Sequence, residues 1–462
     1  MGVNVVAMKL ASALRLPKLG NYRLAFVGAG GKTTAMFQLA SELAPALATT
    51  STHLGAWQVG AADRHFAWPE GDPLPDIEAW IGSGVTLITG QPESDTDRWM
   101  GLSSAQLAKI DALAGYHDLP VLVEADGARQ KPLKAPADHE PAIPGFADLV
   151  VLVAGLSALG KPLLQEWVHR PEQFSALSGI ELGAFITPGA LATVLGHPQG
   201  GLKNIPDHAR RVLLLAQADT PELQAAGQSL AKQLLPVFHS VLVASRPTPA
   251  AGQPYKDTTR RPTLEVHAVH ESVAGIILAA GGASRMGRPK QLLDIHGEPF
   301  VTHVARTALE GGLSPVIVVT GAWAEEVSEA VRDMPIRIAS NREWQSGQGS
   351  SVGIGVRALP AECGAAIFLL ADQPQIPATL ISALVAEHAR ALAPIIAPLV
   401  NERRGNPVCF DRVTFPDLMA LTGDQGGRAL FSRYPVIWLP WHDASVLLDV
   451  DTEEDYRKLV EK

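Results

Sequence analysis

Gly281 and Gly282 follow an apolar run and precede Ser284, Arg285, Gly287 and Lys290 in the stretch LAAGGASRMGRPKQL, residues 278–292. Glycines lack a Cβ, so backbone amides here, that of Ala280 included, can close on oxygen atoms. Successive N–H groups in such a turn form a nest that holds phosphate. Arg285 and Lys290 add positive charge where a departing pyrophosphate would gather negative charge. The chemistry these groups permit is in-line attack by a phosphate oxygen on the α-phosphorus of a nucleoside triphosphate. Phosphates are already ionised at neutral pH, so such a site must position, neutralise and hold a divalent ion, with no strong base required. Asp372 closes the apolar stretch AAIFLLAD, where a carboxylate is costly unless it meets a metal or hydrogen-bond donors. Hard oxygen ligands suit Mg²⁺, and Asp372 is the candidate ligand. Asp449 and Asp451 share one face of an extended segment by its period of two, and one of them could complete the ion site. Asp451 could equally cap the helix beginning TEEDYRKL, with Glu454 three residues later. Asn341 ends another strand and is a candidate to face the nucleotide. The glycines at 347, 349, 353 and 355 beyond it fit close backbone approach or a flap equally well.

A second turn, VGAGGKTT at 27–34, brings Gly28, Gly30, Gly31, Lys32, Thr33 and Thr34 between a short apolar strand and the amphipathic stretch TAMFQLASELA. That strand–loop–helix context is the one in which a phosphate loop is expected. The helix N-terminus and loop amides would face phosphates of ATP or GTP, with Lys32 reaching the outer ones and Thr33 on Mg²⁺. The usual spacing wants a glycine where Phe26 stands, so this is the shorter GxxGKT form, Gly28 to Thr33. Glu124 and Asp126 close VLVEAD, a place for metal and water ligands or simply a solvated turn. Thr50, Thr52 and His53 in TSTHLG, and Lys134 and His139 in KAPADHEP, are further candidate contacts, the histidines reading equally as satisfied polar residues. LLAQAD at 214–219 has Ala216 and Gln217 where a GTPase would carry Asn-Lys, so Asp219 alone does not establish guanine specificity.

The elements that must position these groups have one texture throughout. Apolar strands are expected at 23–28, 119–126, 148–155, 211–219 and 240–245, and again at 274–281, 315–321, 336–341, 365–372 and 394–400, alternating with amphipathic helices. Continuous apolar strands are buried on both faces, which implies parallel sheets with crossover helices. The expected fold class is α/β with two domains: an N-terminal P-loop-like nucleotide-binding domain at 1–246 and a C-terminal Rossmann-like nucleotidyltransferase domain at 272–462. The Pro- and Thr-rich stretch at 247–271 reads as a linker. A chain of 462 residues fits two cores, and 47% hydrophobic with 18% charged residues excludes compositional disorder. Net charge of −9 argues against a nucleic-acid partner or an anionic membrane surface. Cys363 and Cys409 give no disulfide framework and read as two buried thiols in a reducing compartment. No apolar run approaches a membrane span, so a cytoplasmic protein is expected.

The residues from 273 to the end resemble the MobA-like nucleotidyltransferases, most closely the molybdenum cofactor cytidylyltransferase branch. LAAGGASRMGRPK, LLADQPQI, GNPVCF, TGDQGGRAL and LLDVDTEEDY bear the resemblance in order. Some relatives carry a second hydroxyl where Ala283 stands, leaving Ser284 as the donor here. The resemblance implies CTP and Mo-molybdopterin as substrates, the acceptor side at Asn406 and at Arg428, and Arg428 on the pterin's phosphate. Residues 20–246 resemble the YqeC-like accessory proteins of selenium-dependent molybdenum hydroxylases, through GAGGKTT, TSTHLG, VEADGARQKPLKAPADHEP, GLSALGKPL, VHR and GLKN. That implies an apo molybdenum hydroxylase as a partner and a pathway more than a reaction. A sugar-1-phosphate nucleotidyltransferase and a non-catalytic cofactor-delivery chaperone are the rival readings.

Overall fold

Arg23–Gly28 (β1) is buried at every position, as expected of an apolar strand in the middle of a covered sheet. In the computed structural model the described residues are 8–17, 20–74, 82–94, 96–247, 263–282, 289–448, 450 and 452–460. They fall into two units, Met1–His270 and Glu271–Lys462.

The first unit is built on a nine-stranded sheet. Its other strands are Ala46–Thr50 (β2), Arg64–Ala67 (β3), Val85–Thr89 (β4), Val121–Glu124 (β5), Leu149–Gly155 (β6), Arg210–Ala216 (β7), Ser240–Ser245 (β8) and Glu265–Glu271 (β9). The order is β9-β8-β7-β6-β1-β5-β2-β4-β3, and every pair from β8 to β3 is parallel. The loop after β1 therefore opens between the C-terminal ends of β5 and β6, where open parallel sheets bind ligands. Lys32–Glu42 (α1) follows at once; its Ala, Met, Phe and Leu side chains are buried, and its start at Gly31 (φ 143°) uses a backbone conformation closed to most side chains. The expected linker is different in part. Residues 248–262 lie outside the described set, but Glu265–Glu271 joins the sheet as β9, with Leu264 N–H donating to Gln38 Oε1 at 2.6 Å.

The second unit holds an eight-stranded sheet: Val273–Ala279 (β10), Val316–Thr320 (β11), Arg337–Ser340 (β12), Ala365–Leu370 (β13), Ile395–Val400 (β14), Arg403–Arg404 (β15), Val408–Asp411 (β16) and Val436–Pro440 (β17). The order is β12-β11-β10-β13-β16-β14-β15, with β17 beside β14. The expectation of a parallel sheet holds from β12 to β13. It fails beyond, because β16 runs antiparallel to both β13 and β14. A buried strand is apolar whichever way its neighbours run, so composition could not distinguish direction. Helix Gln348–Arg357 (α2) lies over β10 so closely that a Cβ on Gly355 would come 2.6 Å from Ile276, and one on Gly349 2.9 Å from the backbone of Leu421. The glycine-rich stretch is thus a close-packed helix, not a flap. Both cysteines are buried and unpaired. Burial pushes both thiols above their ordinary pKa, which keeps them protonated and inert. Among the described residues no helix is long and apolar enough to cross a membrane.

Candidate functional site

The turn after β1 gathers the charges that the sequence analysis singled out, but they already neutralise one another. Lys32 is 5% exposed. Its Nζ donates to Gly28 O at 2.7 Å and lies 3.2 Å from Asp126 Oδ1 and 3.9 Å from Glu124 Oε1. Gly28 N–H donates to Asp126 Oδ2 at 3.0 Å. Thr33 Oγ1 donates to Glu124 Oε2 at 2.7 Å and accepts from Gln58 Nε2 at the same distance. Burial raises the Glu124 pKa, opposed by Lys32 and by the Thr33 hydroxyl. The expected metal and lysine residues are therefore together, with Lys32 folded back onto its own loop instead of extended. Gly31 and Thr34 flank Lys32 and Thr33 at the head of α1, whose first amides have no intrahelical acceptor and remain suited to anions. Gly30 serves packing: a Cβ there would meet Gly155 N at 2.6 Å.

Lys134 also reaches this cluster, at 2.8 Å from Asp126 Oδ2 and 2.8 Å from Glu140 Oε2. Arg170 grips Glu140 from the other side at 2.7 Å. Lys203 Nζ donates to Ala137 O and Asn204 Nδ2 to Pro141 O, so VHR and GLKN brace the loop that presents Lys134. Burial alone would raise the Glu140 pKa, yet hydrogen bonds from Arg170 and Lys134 bring it down to about 2. Lys134→Met is expected to destabilise this unit by about 3–5 kcal/mol, because it leaves carboxylates buried without their second cation. Urea unfolding followed by circular dichroism measures it.

His169 stands beside these cations. Burial first, then Arg170, Lys134 and Arg129, push its pKa down to about 4, and burial with Lys232 does the same for His270. The unfolded chain then takes up protons more readily than the folded one, so stability falls as pH drops from about 6.5 towards 4. His169→Gln should lessen that slope in a series of melting temperatures across the range.

Other candidates in this unit do not join the cluster. His53 lies 3.4 Å from Glu93, and His139 is exposed. Thr50 Oγ1 donates to Glu124 O at 3.0 Å and receives the amide of Thr52, which shapes the turn. Asp219 is bound by the amide and guanidinium of Arg246. Gln217 was not expected: its Nε2 donates to Gly30 O at 3.0 Å while Ser157 donates to its Oε1.

In the second unit a cavity of about 530 Å³ opens at the C-terminal ends of β10 and β13. It brings together Ala280, Gly281, Gly282, Lys290 and Asp372, residues separated by up to about ninety positions in the chain. Lys290 Nζ lies 3.9 Å from Asp372 Oδ2, an attraction without a tight hydrogen bond, and both side chains keep partial exposure to the cavity. Gln291 Nε2 donates to Gly281 O at 3.2 Å and fixes the turn. Trp344 packs on Gly282, where a Cβ would approach the ring to 3.0 Å. Gln348, Ser351 and Asp424 complete the wall and were missed. Asp424 sits in TGDQGGRAL, so its motif was visible although its position was not. Among the described residues no three His, Cys, Asp or Glu side chains form a ready cation cage. The two carboxylates of this cavity fit an ion that takes its remaining ligands from phosphates and water.

Ser284, Arg285, Gly287, Asp449 and Asp451 lie outside the described residues. Asn341 does not line the cavity. It is 2% exposed, and its amide donates to Ser350 and Ser351 while its Oδ1 accepts from Glu343 N–H, a knot that holds the start of α2. Asn406 precedes a cis proline after β15, and Arg428 is exposed on the short helix Gly427–Ser432.

Residues 24–172 match the family described as YqeC protein, and residues 275–437 match the MobA-like NTP transferase domain. Nicotine blue oxidoreductase of Paenarthrobacter nicotinovorans is 34% identical over 198 residues, 41% of this chain and 96% of that protein. Uncharacterized protein YqeC of Escherichia coli (strain K12) is 33% identical over 219 residues, 46% of this chain and 82% of that protein. Purine catabolism protein PucB of Bacillus subtilis (strain 168) is 32% identical over 196 residues, 39% of this chain and 93% of that protein.

Proposed function

Since the chain belongs to the YqeC family in its first half and to the MobA-like NTP transferases in its second, we propose that it is a molybdenum cofactor cytidylyltransferase fused to a nucleotide-binding maturation domain for molybdenum hydroxylases. The observation that supports it most is the cavity shared by the bare turn at 280–282, Lys290 and Asp372. In this reading the turn's amides hold the triphosphate of CTP and Lys290 sets its charge against the leaving end. Asp372, with Asp424 in the same wall, would hold Mg²⁺, and the ion would supply charge neutralisation for the phosphates. A phosphate oxygen of Mo-molybdopterin attacks the α-phosphorus, its bond to the pyrophosphate oxygen breaks, and the cytosine dinucleotide and pyrophosphate form. Nothing in the step needs a proton acceptor, because the attacking phosphate oxygen is already ionised. The first unit would bind ATP or GTP, with Lys32 released onto phosphate and Thr33 and Glu124 beside the ion, and would drive a modification or insertion step for an apo-hydroxylase.

The test is a matrix of CTP, GTP, ATP and UTP against Mo-molybdopterin and a sugar 1-phosphate, read as pyrophosphate released by the full chain. CTP with Mo-molybdopterin is the expected pair. Release with the sugar phosphate instead makes this a sugar nucleotidyltransferase. Tight dinucleotide binding without any release makes it a delivery chaperone. Oxidation or reduction of nicotine blue without release would favour the chemistry named in the Paenarthrobacter relative.

A further inference from the structure

We propose that the carboxamide of Gln58 stands on the Thr33 hydroxyl where a divalent ion would bind, and that the ion displaces it and shifts the neighbouring Trp57. The inference rests on the reading of the first unit as an ion and nucleotide site. A threonine hydroxyl has one proton to give and lone pairs to offer. Thr33 gives its proton to Glu124 Oε2 at 2.7 Å and receives the Gln58 Nε2–H at 2.7 Å. A cation must approach that oxygen away from its proton, the side on which Gln58 already sets the positive end of an N–H dipole. The two compete for one small oxygen. The oxygens gathered around it, from Thr33, Glu124 and Asp126, are of the hard type that suits Mg²⁺. Asp126 Oδ1, in a side chain 3% exposed, accepts no hydrogen bond among the described residues and faces Lys32 Nζ at 3.2 Å. That buried oxygen has capacity left for a cation.

Gln58 is placed to move. It lies on the four-residue helix Ala56–Val59, which follows the two-residue strand Leu54–Gly55, itself paired with Arg98–Trp99. So short a helix has little stability of its own, and its side-chain contacts fix it. The other end of the carboxamide, Oε1, accepts the Gly55 N–H at 2.8 Å. Gln58 is thus a strut between this segment and the start of α1. Losing the Thr33 contact frees one end while the Gly55 anchor stays. Trp57, next in the chain, is 65% exposed, and its indole lies by that anchor: a Cβ on Gly55 would meet Trp57 Nε1 at 2.8 Å. An ion arriving at Thr33 therefore acts on the surface through Gln58 and changes the setting of Trp57. What it must overcome is the net worth of one hydrogen bond, about a three- to tenfold factor in affinity.

The test is Mn²⁺ binding to the full chain, followed by electron paramagnetic resonance of the free ion, first alone and then with ATP or GTP. All proteins carry Asp372→Asn, which removes the candidate ion ligand of the second unit. Gln58→Leu should tighten Mn²⁺ binding by about three- to tenfold. Gln58→Glu should tighten it further, since it keeps an acceptor for Gly55 and puts an oxygen where the amide nitrogen was. Adding Thr33→Val should erase the gain from Gln58→Leu. Tryptophan emission should shift as Mg²⁺ is added, and the shift should be missing in Trp57→Phe. Thermal melts show which variants remain folded. Unchanged or weaker Mn²⁺ binding in the folded Gln58 variants overturns the proposal. So does a gain that survives Thr33→Val, or a Trp57 emission that ignores the ion. Tighter Mn²⁺ binding in the Gln58 variants without binding of ATP or GTP would leave the displacement standing and remove only the nucleotide reading.

Discussion

Asp372→Asn should abolish pyrophosphate release, lowering kcat by about three orders of magnitude or more, while CTP still binds. The side chain lies just past β13, where the chain leaves the sheet, and a carboxamide fits its shape without its charge. An amide oxygen is a poor exchange for a carboxylate on a divalent ion that must neutralise developing charge. The bare turn at 280–282 is untouched, so the triphosphate keeps its amides. Because Asp372 is about one-third exposed, the fold should tolerate the change. Single-turnover quenched flow on CTP and Mo-molybdopterin measures the step, and equilibrium dialysis with CTP measures the binding. Activity within a few-fold of wild type would remove Asp372 from the ion site and from the transfer step.

Lys290→Ala should cost about a hundred- to a thousandfold in turnover, the range for removing one preorganised charge from a transition state. Its ammonium sits 3.9 Å from Asp372, far enough to turn towards phosphate. Loss of the charge should also raise the KM for CTP, because the triphosphate is charged before reaction as well as during it. Lys290→Arg separates charge from reach: a bulkier, planar fork restores charge but not the point contact, so partial recovery is expected. If Lys290→Ala raised KM alone with kcat intact, the lysine would be a binding residue and no more.

The strands that form both sheets were legible because burial on two faces demands unbroken apolar runs, as at 149–155 and 365–370. β9 was not: Glu265–Glu271 mixes charge and histidine with small apolar residues, and its place at the edge of the sheet relaxes the demand. The direction of β16 was equally hidden, since VCFD reads the same either way. At the site, Lys290 and Asp372 could be read because each follows a strand in a recognisable stretch. Asp424, Gln58 and Gln217 could not, because their significance comes only from what the fold sets against them. Asn341 misled for the opposite reason. A strand-end amide looks free in sequence, and the two serines that occupy it lie nine and ten residues on.

The cluster around Lys32 has a further bearing. Lys32, Lys134 and Arg170 face Glu124, Asp126 and Glu140, so the ledge after β1 is electrically complete before any guest arrives. On the proposed reading, a triphosphate entering there would have to trade places with a carboxylate for Lys32, and magnesium arriving with it would compensate the abandoned acids. Occupancy at that ledge should therefore hinge on magnesium and bend little with added potassium chloride, whereas the open, half-wet cavity beside Lys290 should lose its guest steadily as the salt rises.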